Sequence, residues 1–480
     1  MASMETTFYW HDYETWGADP RRDRAAQFAG IRTDAQLNVI GAPLVAYCRP
    51  ADDMLPQPGA CLITGITPQK ALAEGLNEAE FFGLIHDELL RPGTCGVGYN
   101  SVRFDDECTR HGFYRNFIDP YAREWQNGNS RWDIIDMVRL THALRPEGIH
   151  WPEREPGVPS FRLEDLTKAN GIAHEGAHDA LSDVQATIAL ARLIRERQPR
   201  LFQYLFDLRG KRAVGELLDI RSGGPVLHVS SMYPSTRGCI AMVAPLARHP
   251  ENPNGVVVYD LCQDPAPLFD LTAEQIAERL FTPRSQLPEG VEPIALKTVH
   301  LNKCPVVVPL STLTDEAALR WGIDTERGWR HQALLTGFVG LDQKIRAVFS
   351  GREFPPQSDP DLALYGGGFF GSRDRRGMEQ IRRSEPGQLA SREVAFDDAR
   401  LPEMLFRYRA RNWPQSLSEP ERARWDAYRR GRLCREDGGA SITLEEYRRQ
   451  LAELAVEPGL GARERDILSA LADWPGVLGL

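Results

Sequence analysis

The chain reads as an α/β domain followed by a β-rich domain and then a helical one. Three observations predict this. Over roughly the first 200 residues, strand-like runs alternate with segments of helical period, the pattern of a mixed sheet covered by helices. From about residue 222, short apolar runs follow one another between Pro, Gly and Asn, as in a small barrel or sandwich. Beyond the Pro- and Gly-rich stretch FSGREFPPQSDPDLALYGGGFF the chain turns helical and rich in arginine. Its 480 residues exceed what one hydrophobic core usually serves, so two or three domains are expected, and the three textures place them over 1–200, 201–352 and 353–480.

Taken in order, TTFYWHDYE and LNVIGAPLVAYC read as strands, the second broken by a Gly-Ala-Pro turn. NEAEFFGLIHDELL repeats apolar residues at helical spacing, with Asn77 and Glu80 placed to form its N-terminal cap. CGVGYN is a short buried strand, and SVRFDDECTRHGFYRNF after it turns helical. Helices are further expected at DIIDMVRLTHAL, RLEDLTKANG and ALSDVQATIALARLIRER, with LFQYLFDLRGKRAVGELLD continuing as helix. The β-rich part contributes PVLHVS, CIAMVAPLA, GVVVYDL and HLNKCPVVVPL.

Composition narrows the function classes. With 42% hydrophobic and 26% charged residues, and no run of about 18 uncharged apolar residues, the chain reads as an ordinary globular protein without a membrane span. The opening MASMETT lacks a basic region followed by a long apolar segment, so no secretory signal is expected. Eight scattered cysteines with no CxxC pair argue against a disulfide framework or a zinc site, and for a reducing, cytoplasmic setting. The net charge of −10 looks wrong for a nucleic-acid partner, but affinity follows where positive charge is concentrated. Residues 371–435 hold 16 Arg and no Lys against 10 acids. A solvated helical surface laced with ion pairs would have the same composition.

The chemistry concentrates in acids. Residues two apart in a strand share a face, so Asp12 and Glu14 in DYE point the same way, with Cα atoms roughly 6.5–7 Å apart. Burying two carboxylates together costs several kcal/mol unless protons or cations neutralise them. A hard divalent cation does so, and Mg²⁺ leaves part of its shell for a substrate phosphate. Two surface acids at a strand end would read alike. YNSVRFDDE adds Asp105 and Asp106 at the opening of a helix, where acids also favour the helix dipole. HEGAHDALSD adds His178 and Asp183, the latter inside an amphipathic helix.

The order, spacing and element type of these residues resemble the DEDDh group of the DnaQ-like 3′-to-5′ exonucleases. Their motifs are an Asp-x-Glu strand (Asp12, Glu14), a later Asp after an Asn…Phe stretch (Asp105), and a closing His-x4-Asp (His178, Asp183). The opening around WHDYET, with GYNSVRFDDE, LRPEGI, YGGGFF and LFRYRARNWP, running from near residue 8 to beyond residue 413, further resembles the bacterial exodeoxyribonuclease I family. Trp10 and Trp16 stand where close relatives are expected to carry Phe.

The resemblance implies a ribonuclease H-like exonuclease domain, an SH3-like β-barrel domain and a C-terminal helical domain. It implies 3′-to-5′ degradation of single-stranded DNA to nucleoside 5′-monophosphates, in DNA repair and recombination. Asp12, Glu14 and Asp183 would hold two Mg²⁺ ions about 3.5–4 Å apart, with Mn²⁺ as a substitute and Asp105 serving the second ion. His178 would act as general base, and Asp106 remains the alternative to Asp105.

Single-stranded DNA needs a positive groove and aromatic surfaces. Trp16, Tyr99, Phe104 and Phe113 lie near the motifs in sequence and are stacking candidates, and Arg407 and Arg409 in RYRARNW are phosphate candidates. The same aromatics would equally serve a core. Family likeness also implies binding of the acidic C-terminal tail of single-stranded DNA-binding protein, with Arg145 as first candidate and Arg320 and Arg346 as weaker ones. A monomer is expected. Rival readings are an RNA-trimming enzyme, a proofreading subunit, and a catalytically weak nucleic-acid-binding scaffold on a nuclease fold. The roughly 280 residues beyond the first domain argue against the first two, and the complete set of five residues against the third.

Overall fold

The computed structural model describes residues 6–174, 176, 178–351, 357–390 and 394–480. Residues 1–5, within the stretch read for a leader, and 352–356, within the proline-rich boundary, lie outside the described residues. Chain contacts separate two units. One collects Met1–Ser130, His174–Thr187 and Pro355–Leu480, the other Arg131–Ala173 and Ile188–Phe354.

The first unit is built on strand β1 (Thr7–Thr15), antiparallel to β2 (Ala25–Thr33) and parallel to β4 (Thr94–Gly98). A short β3 (Leu44–Tyr47) extends the sheet beyond β2. Central strands are covered on both faces, which explains why β1 is aromatic almost throughout. Tyr9 and Tyr13 on one face join Phe28, Phe81, Phe82 and Phe113 in a core. Helix α1 (Glu78–Leu89) supplies Phe81 and Phe82, and Asn77 caps it by accepting from the Glu80 amide at 2.9 Å. Helix α2 (Asp105–Arg115) follows β4, and α3 (Ala180–Arg197) begins in this unit.

The C-terminal segment of this unit is helical, as expected, with α4 (Ser372–Arg382), α5 (Arg400–Asn412), α6 (Glu419–Cys434), α7 (Leu444–Ala455) and α8 (Ala462–Val477). Ser418 and Glu421 close a reciprocal capping box on α6. Leu433, Tyr447, Leu471 and Trp474 bury against Trp16, Met54 and Leu55 in one core, so the last helices fold onto the first hundred residues.

In the second unit five antiparallel strands form one sheet: β5 (Val226–Val229), β6 (Ile240–Arg248), β7 (Gly255–Asp260), β8 (Leu296–His300) and β9 (Val306–Pro309), in the order β8-β7-β6-β5-β9. Four of these lie in the expected runs. The same unit also holds helices not expected in a β-rich region, at Ala273–Phe281, Asp315–Trp321, Thr325–Gly337 and Leu341–Phe349. Their starts carry ordinary signals, since Thr272, Thr314 and Asp324 each accept a backbone N–H of the first turn. The expected continuous helix after Gln198 is two, Pro199–Leu208 and Lys211–Leu217, interrupted at Arg209-Gly210. Of LNVIGAPLVAYC only Leu44–Tyr47 is strand, and β2 was not anticipated at all.

Candidate active site

The carboxyl end of β1 carries Asp12 and Glu14 on one face, with Tyr13 pointing the other way into the core. Parallel pairing with β4 brings the segment after β4 to the same end. There α2 opens on Asp105, whose Oδ1 accepts from the Tyr13 amide at 3.2 Å, between the two β1 acids. The phenol of Tyr13 meets Thr109 Oγ1 at 3.0 Å, and Thr109 in turn donates to the Asp105 carbonyl at 2.9 Å. Asp106 faces elsewhere: its carboxylate accepts from the buried Arg123 guanidinium at 2.5 Å. Of the two adjacent acids, it is Asp105 that joins the strand.

The third contribution comes from α3. Gln27, opposite Glu14 in the β1–β2 register, accepts from the Ala180 amide at 3.3 Å and donates to the Asp179 carboxylate at 3.3 Å. This buried amide hooks the start of α3 beside Glu14 and carries Asp183 to the cluster. Ligand atoms of Glu14, His178 and Asp183 all lie within 4.8 Å of one another. His178 has a φ of 68°, a left-handed conformation costing roughly 1–2 kcal/mol outside glycine. That bend turns its ring toward the acids. His174 also reaches Asp183, with Nε2 at 2.5 Å from Oδ1.

The electrostatics are those of acids crowded without enough compensation. Burial, then the charges of Asp105, Glu14 and Asp183, hold Asp12 well above the usual carboxylate range. Burial, then Asp183, Asp105 and Asp179, push Glu14 up to about 9. Such a set takes up protons or a cation, and the all-oxygen donors with one imidazole suit hard divalent ions. The residues present therefore fit the divalent metals expected of them, with Asp12, Glu14, Asp105 and Asp183 as the available carboxylates.

Gln27→Leu tests the hook. It leaves the Ala180 N–H without its acceptor, at a cost of about 1–3 kcal/mol, and frees α3 to drift. A displacement of about 1 Å is worth up to 10²-fold in rate, so turnover on saturating substrate is expected to fall by about that factor while the circular dichroism spectrum stays unchanged. A full rate would show that Asp183 needs no such anchor.

Several expected nucleic-acid contacts are corrected by burial. Trp16 is 1% exposed in the core it shares with Tyr447 and Trp474, and Phe113 is fully enclosed, edge-on to Phe82. Neither ring presents a face to a base. Arg407 is committed to Glu403, Asp359 and Asp361, and Arg409 to Glu421 and the Ser416 carbonyl, all at 2.6–3.1 Å. Acids four residues back and on neighbouring segments neutralise these arginines, so they hold the helices together. Tyr99 and Phe104 are half-buried beside the site. Exposed rings lie in YGGGFF instead: Phe369 is 87% exposed, and Tyr365, also exposed, bonds Glu107 on α2.

In the second unit, Arg145 is half-buried and donates to the carbonyls of Leu144 and Thr312. Arg320 pairs with Glu316 at 2.8 Å, and Arg346 is exposed on the helix Leu341–Phe349. No helix among the described residues is long and apolar enough to cross a membrane.

Comparison with known proteins finds three family matches along the chain. Residues 9–191 match the family described as Exonuclease, 209–351 the Exonuclease I SH3-like domain, and 358–478 the Exonuclease I C-terminal domain. Exodeoxyribonuclease I of Escherichia coli (strain K12) is 51% identical over 428 residues, covering 89% of this chain and 90% of that protein. The moderately thermophilic Exonuclease I from Methylocaldum szegediense superposes with a TM-score of 0.95 at 58% identity, over 98% of this chain and 99% of that one. A zinc-ion-bound E. coli ExoI–ssDNA complex superposes with a TM-score of 0.94 at 46% identity, over 99% of this chain and 100% of that one.

Proposed function

The chain belongs to the exodeoxyribonuclease I family, and on that premise we propose that it removes nucleotides from the 3′ end of single-stranded DNA as nucleoside 5′-monophosphates. One observation supports the reading: Glu14 of β1 and Asp183 of α3 lie with His178 within 4.8 Å, while Asp105 of α2 accepts from the Tyr13 amide between Asp12 and Glu14. Asp12, Glu14 and Asp183, with Asp105, would hold two divalent cations, Mg²⁺ by the hardness of the donors and Mn²⁺ as a substitute. When bound, such ions lower the pKa of water and offset charge on the scissile phosphate.

The rest falls to this chain's own side chains. His178, half-buried and within reach of Glu14 and Asp183, takes the proton of the attacking water at a ring nitrogen. The new P–O bond forms as the bond to the 3′ oxygen of the preceding nucleotide breaks. The hydrogen bond from the Tyr13 amide keeps Asp105 turned to the cluster, and Gln27 keeps α3 in place. Arg145, with Arg320 and Arg346, would receive the acidic tail of a single-stranded DNA-binding protein. The enzyme would act as a monomer in the cytoplasm, in DNA repair.

The test is degradation of matched oligonucleotides labelled at either end, as single-stranded DNA, duplex and RNA, with Mg²⁺ present. Rapid loss of mononucleotides from the 3′ end of single-stranded DNA is expected, with slow release from the other two. No release with any divalent cation would leave a binding scaffold. His178→Ala is expected to lower kcat by about 10²–10⁴-fold with DNA affinity kept. Collapse of affinity at unchanged turnover would make His178 a structural residue.

A further inference from the structure

Asp183 stands between two histidines. His178 shares the open side of the cluster with Glu14. His174 also reaches Asp183: its side chain is 5% exposed, and its Nε2 lies 2.5 Å from Asp183 Oδ1. The two rings are only four residues apart, yet the bend through Gly176 (φ 90°) and His178 (φ 68°) brings both to the same carboxylate.

We propose that His174 is a positioning residue of the metal pocket, donating from Nε2 to Asp183 Oδ1 and so fixing the direction in which that carboxylate faces. The inference rests on the metal-dependent reading above. Asp183 belongs to the first turn of α3 and is partly open to solvent, while the charges of Asp12 and Glu14 repel it. A largely enclosed donor on Oδ1 restrains the orientation of this partly open side chain. It engages Oδ1, and a carboxylate offers about four lone-pair sites in all. The His174 side chain is largely enclosed, and it does not belong to the group that Glu14, His178 and Asp183 form. Outer partners that hold ligating carboxylates are typically worth 10–100-fold in metal affinity.

Mn²⁺ binding to the full-length protein without DNA, measured by calorimetry, tests this apart from catalysis. His174→Phe keeps the ring volume without the donor and is expected to weaken Mn²⁺ by about 10–100-fold. His174→Gln, which retains an N–H, is expected to recover most of that loss, and the Mg²⁺ concentration for half-maximal cleavage should move in parallel. If the Phe variant does not fold, His174→Leu takes its place in the comparison. Equal Mn²⁺ affinity in wild type and the Phe or Leu variant overturns the proposal, as does an equal loss in the Gln variant. If wild type binds no Mn²⁺, the metal-dependent reading itself fails, an outcome distinct from both.

Discussion

Replacing Asp12 by Asn is expected to slow nucleotide release by about 10³-fold or more while raising the melting temperature of the metal-free protein. The rate follows from the loss of a cation ligand, which removes several kcal/mol of transition-state stabilisation at about 1.4 kcal/mol per tenfold. The stability follows from the surroundings. Asp12 is held well above the usual carboxylate range by burial and by the charges of Asp105, Glu14 and Asp183. A carboxyl raised in the fold contributes its stability below its unfolded pKa of about 4 and loses it as pH rises through the folded value. Metal-free wild type should therefore lose ground to the Asn variant between pH 5 and pH 8. Added Mn²⁺ should reverse the order, since a ligand at about 100 times its Kd stabilises the form that binds it by about 2.7 kcal/mol. Melting curves at both pH values, with and without Mn²⁺, read this directly. A variant destabilised equally at pH 5 and pH 8 would mean that Asp12 does not share a field with the other acids.

Asp12 and Glu14 were legible because the strand period puts them on one face and an acid pair within an aromatic run conflicts with burial, and Asp105 and Asp183 because their order and spacing resemble the DEDDh motifs. Gln27 was not. Its strand, AAQFAGIRT, is poor in β-branched residues, and the hook depends on a cross-strand register that one chain's local pattern does not specify. Trp16 and Phe113 misled for a related reason: an aromatic side chain has the same local sequence whether it meets a base or Trp474, and only tertiary packing decides. Arg407 and Arg409 showed their positive charge but not the acids of distant segments that neutralise it. His174 was within the stretch read for His178, yet nothing in the spacing shows that a non-helical bend points both rings at one carboxylate.

The same substitution at Asp53 should act in the opposite direction. Asp53 is 0% exposed, like Asp12 an aspartate of the first unit, but its neighbours are arginines: Arg411 donates at 2.8 Å and Arg24 at 3.2 Å, with Arg432 at 3.9 Å. Arg411 also bonds Asp361 at 2.6 Å, Arg407 bridges Asp361 and Asp359, and Arg432 returns to Asp359 at 3.1 Å. This network ties α5 and α6 to the loop that carries Asp53 and to the segment at 359–361. Asp53→Asn leaves buried guanidinium groups short of a negative partner, a loss typically worth about 3–5 kcal/mol. Denaturant titration should show that drop with little change in the slope. The pH dependence is the reverse of that at Asp12. Although burial opposes ionisation, Arg24 and Arg411 hold Asp53 far below the ordinary carboxylate range. A depressed carboxyl contributes its stability above its unfolded pKa of about 4 and loses it as pH falls toward the folded value. The gap between wild type and Asp53→Asn should therefore be full at pH 7 and narrow below about pH 4. A gap that stayed constant down to pH 3 would show that shape and hydrogen bonding, rather than charge, make Asp53 necessary to this interface.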